Sequence, residues 1–163
     1  GHASLLDAPG YGFASAARHR ENAFKKMVKY YLLNSSRLCG IYWLSSLQHP
    51  LNQNDQVIFN IAKFCRVPIT LVFTKADLFH KDEVFARVVA FSHVLRSFEC
   101  LDPLVLITSS QTGFGVQDLK NHLLFRWVLL IHNPKLKHPA LADPDAAPNS
   151  RPGVLLAGRS APG

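Results

Sequence analysis

Apolar and polar positions follow two periods along this chain, one near two residues and one near 3.6. The opening "HASLLDAPG" predicts a short strand that ends in a Pro-Gly turn. Residues 18–33 carry helical spacing, with Phe24, Met27, Val28 and Tyr31 on one face. "LCGIYWLSSL" (38–47) is an apolar run of strand length, and residues 54–65 follow as a helix with Val57, Ile58, Ile61 and Phe64 inward. Pro68 opens "ITLVF", a β-branched run too continuous for a sheet with one wet face. Residues 81–98 read as a helix, "PLVLITSS" as a strand, and 116–130 as a closing amphipathic helix. Strands alternating with helices predict an α/β domain with a mostly parallel sheet and helices on both faces.

Composition narrows the class. The 163 residues have room for one domain with a sizeable core, and 48% hydrophobic with 18% charged residues suits a folded chain, not a disordered one. Cys39, Cys65 and Cys100 show neither CxxC nor Cys/His ligand spacing, so they are expected as buried thiols of a reducing compartment. No apolar run approaches the ~20 residues of a membrane span, and "GHASLL" has no signal-peptide pattern. The first residue is not Met, so an upstream segment is expected. Eighteen Lys and Arg against eleven Asp and Glu give a net charge of +7, which favours polyanions such as nucleic acid. Arg18, Arg20, Lys25, Lys26, Lys29 and Arg37 concentrate part of that charge beside Tyr30 and Tyr31. A solvated helix face explains the same run equally well. The closing helix, with Lys120, His122 and Arg126, is the next basic surface.

Ligands of parallel sheets bind at the carboxyl ends of the strands, and three predicted strands end there in polar turns: "LLDAPG", "LVFTKAD" and "LITSSQTG". A carboxylate at Asp77 can accept from the N1–H and the exocyclic amine of guanine. Adenine would oppose it with a lone pair, leaving a charged acceptor unpaired. Lys75 can lay its aliphatic stem across the base. An Asp at position 7 can hold Mg²⁺ through water, and Gly10 lets the backbone approach a terminal phosphate. "TSSQTGFG", with Ser109 and Ser110, offers small residues whose backbone N–H groups could meet the guanine carbonyl. Each feature alone is weak; in this order, at these strand ends, they favour a nucleotide site.

"LLDAPGYGFA" resembles the D-x-P-G-Y-G-[YF]-A signature of the EngB (YihA) family of P-loop GTPases. "TKAD", Thr74 to Asp77, is similar to that family's guanine-specificity motif, and Ser109-Ser110 to its final base-contacting motif. The resemblance runs from about Leu5 to Leu130, and Asp55 falls where the family carries an acid, whereas Ser45 stands where it usually has Asp. It implies a P-loop GTPase-like fold, GTP or GDP with Mg²⁺ as ligands, and a factor that assists assembly of the large ribosomal subunit by contacting its rRNA and proteins. Eukaryotic members act on the mitochondrial ribosome, and the extended Pro-rich tail leads us to expect a mitochondrial location. The rival reading is a GTPase-like scaffold that binds rRNA or ribosomal protein without catalysis.

A member of that family should begin with a strand, a phosphate loop and a switch segment, so the fold is expected to be incomplete on that side. The chain instead divides into a partial G domain (1–132), a Pro-rich linker or tail (133–152), and "GVLLAGRSAPG" (153–163). The last segment resembles a strand with the first half of a phosphate loop, Gly158 to Gly163 matching its G-x-x-x-x-G spacing one residue before the lysine. A fragment of a longer chain, a permuted motif order and a degenerate domain all fit this. Without the loop lysine, phosphate binding and turnover by these residues alone are expected to be weak. Ala161 replaces an Asn associated with monovalent-cation-assisted hydrolysis, and Tyr11 stands where many GTPases place a water-orienting Gln, so intrinsic turnover should be slow.

Overall fold

In a computed structural model of the chain, residues 4–8, 17–35, 38–49, 51, 53–132 and 153–158 are described. Five strands carry the architecture: β1 (Ser4–Asp7), β2 (Leu38–Ser46), β3 (Ile69–Thr74), β4 (Leu101–Ile107) and β5 (Gly153–Gly158). Four helices join them: α1 (Ala17–Asn34), α2 (Gln53–Phe64), α3 (Lys81–Ser97) and α4 (Val116–His132). The strands form one parallel sheet in the order β1-β5-β2-β3-β4. The expected α/β class and parallel sheet are therefore present.

Strand residues alternate between two covered faces, as a parallel sheet requires. One face presents Ile41, Trp43, Ile69, Leu71 and Leu155 to α1 and α2, through Phe24, Val28, Leu32, Ile58, Phe59 and Ala62. Trp43 anchors this layer, with the rings of Phe24 and Phe59 set edge-on at 6.1 and 5.3 Å. Beside it, α3 packs Phe91 on Phe73, with Val84 and Val88 at the margin. The other face presents Tyr42, Val72 and Leu106 to Leu119 and Leu123 of α4.

Two inward faces differ from the sequence expectation. In α2, Val57 and Phe64 are 48% and 83% exposed, while Asp55, Ile58, Phe59 and Ala62 are buried. Apolar residues on this helix satisfy i, i+3, i+4 spacing in two overlapping registers, and periodicity cannot choose between them. Burial of Phe59 against Trp43 selects the register that leaves Phe64 in solvent. In α1, Leu32 completes the stripe of Phe24 and Val28, and Tyr31 is only half-buried. All three cysteines are buried free thiols, as expected. β4 begins at Leu101, earlier than predicted, and takes in Pro103; the sheet edge tolerates a residue without an N–H.

The "GVLLAG" run forms a strand within the sheet. β5 pairs with β1 on one side (Leu5 with Val154, Asp7 with Leu156) and with β2 on the other (Ile41 with Leu155, Leu44 with Gly158). Leu155 and Ala157 are buried in the main core. Among the described residues, β1 has no other strand neighbour in the sheet. Its position depends on a segment about 150 residues away in sequence. The linker, 133–152, lies outside the described residues.

Leu155→Ala should therefore destabilise the domain by about 3 kcal/mol, read as a lower urea midpoint. The amides of Leu5 to Ala8 should lose hydrogen-exchange protection in the same variant. An unchanged midpoint would show that β5 does not dock in solution.

Candidate functional site

All five strands run the same way, so their carboxyl ends gather at one edge of the sheet. Asp7 closes β1 there, exposed and paired with Leu156, and the N–H of Ala8 continues the ladder to the Leu156 carbonyl at 2.9 Å. Gly158 closes β5 beside Leu44 of β2. Thr74 closes β3 opposite Ser46, and its hydroxyl donates to the Ser45 carbonyl at 3.5 Å. Thus Asp7, Gly158, Thr74 and the loop after β4 share one edge, as the motif order suggested. Gly10 and Gly163 lie outside the described residues.

The sharpest geometry lies between β3 and β4. After Thr74 the chain reverses at Lys75, which takes the left-handed conformation (φ 61°, ψ 39°), uncommon for a residue with a side chain. A short 3₁₀ turn, Ala76–Leu78, follows. The small Ala76 is buried, and its N–H donates to the Thr108 carbonyl at 3.1 Å, tying the tip of β3 to the end of β4. Thr108 donates its N–H and hydroxyl to the Phe73 carbonyl at 2.7 and 3.2 Å. Asp77 is thereby carried to the surface of the same corner, where the Ser109 hydroxyl donates to its Oδ1 at 2.5 Å.

The N–H of Ser109 donates to the Phe114 carbonyl at 2.9 Å, and its side chain orients the Asp77 carboxylate. Ser110 is exposed, and among the described residues no hydrogen bond engages its N–H. The Ser109 hydroxyl also receives the Thr112 N–H at 3.2 Å, and its carbonyl receives the Gly113 N–H at 3.0 Å. The loop closes at Gly115, where φ is +68° and a Cβ would stand 1.9 Å from the Ile107 carbonyl oxygen. Only glycine fits.

A mostly apolar cavity of about 480 Å³ opens beside this corner, lined by Phe79, Val84, Val88, Ile107 and Phe114 with Asp77 and Ser109 at its rim. Across the edge, the Ser45 hydroxyl is buried without a hydrogen-bond partner among the described residues. Asp55 is fully buried in the first turn of α2, where the helix dipole favours a carboxylate. Among the described residues no three His, Cys, Asp or Glu side chains group to hold a metal ion. Asp7 offers a single carboxylate, which suits Mg²⁺, an ion that keeps several waters and takes its other ligands from phosphates. No helix among the described residues is long and apolar enough to cross a membrane.

The paired-loop corner was legible as motifs; the ties through Ala76, Thr108 and Gly115 were not. Gly115 carried a signal, a second glycine two residues after Gly113, since paired glycines mark a tight turn that needs a left-handed backbone.

No protein-family model matches the chain. Over 116 residues it is 35% identical to a probable GTP-binding protein EngB of Nitrobacter hamburgensis, covering 71% of this chain and 54% of that protein. Over 123 residues it is 34% identical to the probable GTP-binding protein EngB of Shouchella clausii, covering 73% of this chain and 61% of that protein. The chain thus spans a little over half the length of these curated relatives. Among solved structures, translation elongation factor SelB of Methanococcus maripaludis superposes with a TM-score of 0.53 in its complex with the GTP analogue GppNHp, at 18% identity, covering 63% of this chain and 23% of that one. Its apo form gives a TM-score of 0.55 at 19% identity, covering 62% and 22%. At such identity this likeness bears on the fold alone.

Proposed function

This chain belongs to the EngB family of GTP-binding proteins, and we propose that its Lys75–Asp77 and Ser109–Ser110 corner reads guanine. The observation that carries this reading is the Asp77 carboxylate, exposed at the carboxyl edge and oriented by the Ser109 hydroxyl. A carboxylate fixed in this way pairs with two adjacent N–H donors, the pattern guanine offers and adenine lacks. The Lys75 stem covers the ring, and the Ser110 N–H meets the base carbonyl. Thr74 supports the corner through its hydrogen bond to the Ser45 carbonyl.

Phosphates then extend along the edge toward β5 and β1. Asp7 would hold Mg²⁺ there, an ion that would offset phosphate charge, and Gly10 of the same motif would suit a terminal phosphate. Gly158, the first glycine of the loop-like sequence, would approach the phosphates. Support for this comes from the pairing of β5, which brings Gly158 to the same edge as Asp7. A GTP-bound cation and the loop donors together supply the charge that offsets the triphosphate.

The wider role we propose is assistance in assembly of the large ribosomal subunit, in the mitochondrion. The supporting observation is the net charge of +7, with Lys25 and Lys26 on α1 shortly after the Asp7 motif. A helix that directly follows the nucleotide loop moves with it, so nucleotide state governs the grip on rRNA.

Asp77→Asn should lower GDP affinity by about a hundredfold or more while raising affinity for xanthosine diphosphate, whose C2 carbonyl needs a donor. Unchanged GDP affinity in the folded variant would remove Asp77 from the site. Replacing Arg18, Arg20, Lys25 and Lys26 by Gln should flatten the log–log salt slope of binding to single-stranded rRNA by about 0.7 for each phosphate that the variant no longer neutralises. A slope that survives the fourfold change would show the segment to be a solvated helix face.

A further inference from the structure

The amino end of the sheet carries a cluster that the nucleotide reading does not use. Residue Arg126 of α4 lies there, three-quarters buried, with its guanidinium nearest to Asp102 of β4 at 3.9 Å. That separation is beyond hydrogen-bond reach. Among the described residues, no hydrogen bond engages any of its five N–H donors, which leaves the guanidinium fork open to the solvent-accessible space beside it.

The space it occupies is made by a glycine. Gly40 is buried within β2, and a Cβ there would stand 3.3 Å from the Arg126 guanidinium nitrogen. A glycine in a strand interior weakens the strand and often marks a close approach by another group. Here that group is Arg126.

Neighbouring charges are already engaged, and this decides which sign a ligand must carry. Asp102 accepts the Leu104 N–H at 3.1 Å on one oxygen and the Thr70 hydroxyl at 3.4 Å on the other. His122 stands 4.0 Å from the same carboxylate. Its ring is held by Tyr42, whose hydroxyl lies 2.8 Å from Nδ1. Burial pushes the Tyr42 phenol up to about 12, and burial also lowers His122, against the pull of Asp102 and with a smaller push from Arg126. Tyr42 therefore donates, and neutral His122 carries its proton on Nε2, facing Asp102. Glu99 is paired with Lys63 at 3.3 Å.

A cavity of about 460 Å³ opens over this cluster, lined by Arg126, Arg66, Lys63, Asp102 and Glu99. Arg66 sits at its rim in the left-handed conformation (φ 55°) that ends α2. The last helix carbonyls are met by backbone: the Cys65, Arg66 and Val67 N–H groups bond Ile61, Lys63 and Ala62. The helix end thus leaves few free carbonyls to repel an anion.

We propose that this cavity is a second ligand site, selective for a phosphate group, in which Arg126 makes a forked contact and Arg66 supplies the second cation. The planar guanidinium fork matches two oxygens of a phosphate. The site lies roughly 17 Å from the base-reading corner, the length of β3, so it is separate from the nucleotide edge. Free small phosphates and the backbone phosphates of RNA share this chemistry.

The test titrates the chain with inorganic pyrophosphate, followed by ³¹P NMR, and with a twelve-nucleotide single-stranded RNA, followed by fluorescence anisotropy. Excess GDP is present in both. Saturable pyrophosphate binding that weakens about tenfold or more in Arg126→Gln supports a free phosphate as ligand. The same weakening seen with RNA alone assigns the site to a nucleic-acid backbone. Gly40→Ala should weaken the same binding by displacing Arg126. Arg66→Gly, which relieves a left-handed residue and cannot unfold the chain by strain, should weaken it about threefold. Failure of both probes to bind, or binding indifferent to all three substitutions in folded protein, overturns the proposal.

Discussion

The sheet depends on one insertion: β5 fills the place between β1 and β2. Among the described residues β1 has no other strand neighbour, and Leu155 and Ala157 of β5 sit in the main core against Trp43 and its aromatic partners. Backbone groups of a buried strand have to be paired, so β5 is held by two ladders and by apolar burial together. Everything at the Asp7 end of the carboxyl edge is conditional on it. The Lys75–Asp77 corner is not, because its ties run only between β3 and β4.

This division explains why the two halves of the candidate site have different characters. The base-reading half is local, built on a left-handed Lys75, a buried Ala76 and a glycine that only a tight turn admits. The Ser109 hydroxyl and the backbone bonds of Thr108 hold its geometry. The other half joins Asp7 and Gly158, which are far apart in sequence and meet through the pairing of β5 with β1 and β2. Bringing such distant segments together costs conformational entropy that the corner between β3 and β4 avoids. The corner between β3 and β4 is thus the more self-contained half of the candidate site, and the Asp7 half depends on the docking of β5.

The alternation of strands and helices was legible in the sequence because parallel strands covered on both faces leave continuous apolar runs, as at Ile69 to Phe73. The inward face of α2 was not legible, since Val57 and Phe64 fit helical spacing as well as Ile58 and Phe59 do; only the position of Trp43 separates them. At the candidate site, the motif residues Thr74, Lys75, Asp77, Ser109 and Ser110 come together at the ends of β3 and β4. The bond from the Ser109 N–H to the Phe114 carbonyl is set by the path of the loop, which no motif encodes. Arg126 was visible as a basic helix residue, but its dependence on Gly40, eighty-six positions earlier, exists only in three dimensions.

Nucleosides separate base recognition from phosphate binding, because they need neither β5 nor a loop lysine. The most direct measurement is a ¹⁵N chemical-shift titration of the chain with guanosine and, in parallel, with adenosine. The account predicts saturable shifts for guanosine at the amides of residues 75–78 and 108–113, with adenosine leaving them unmoved. Equal responses to the two nucleosides, or guanosine shifts confined to other parts of the chain, would contradict it.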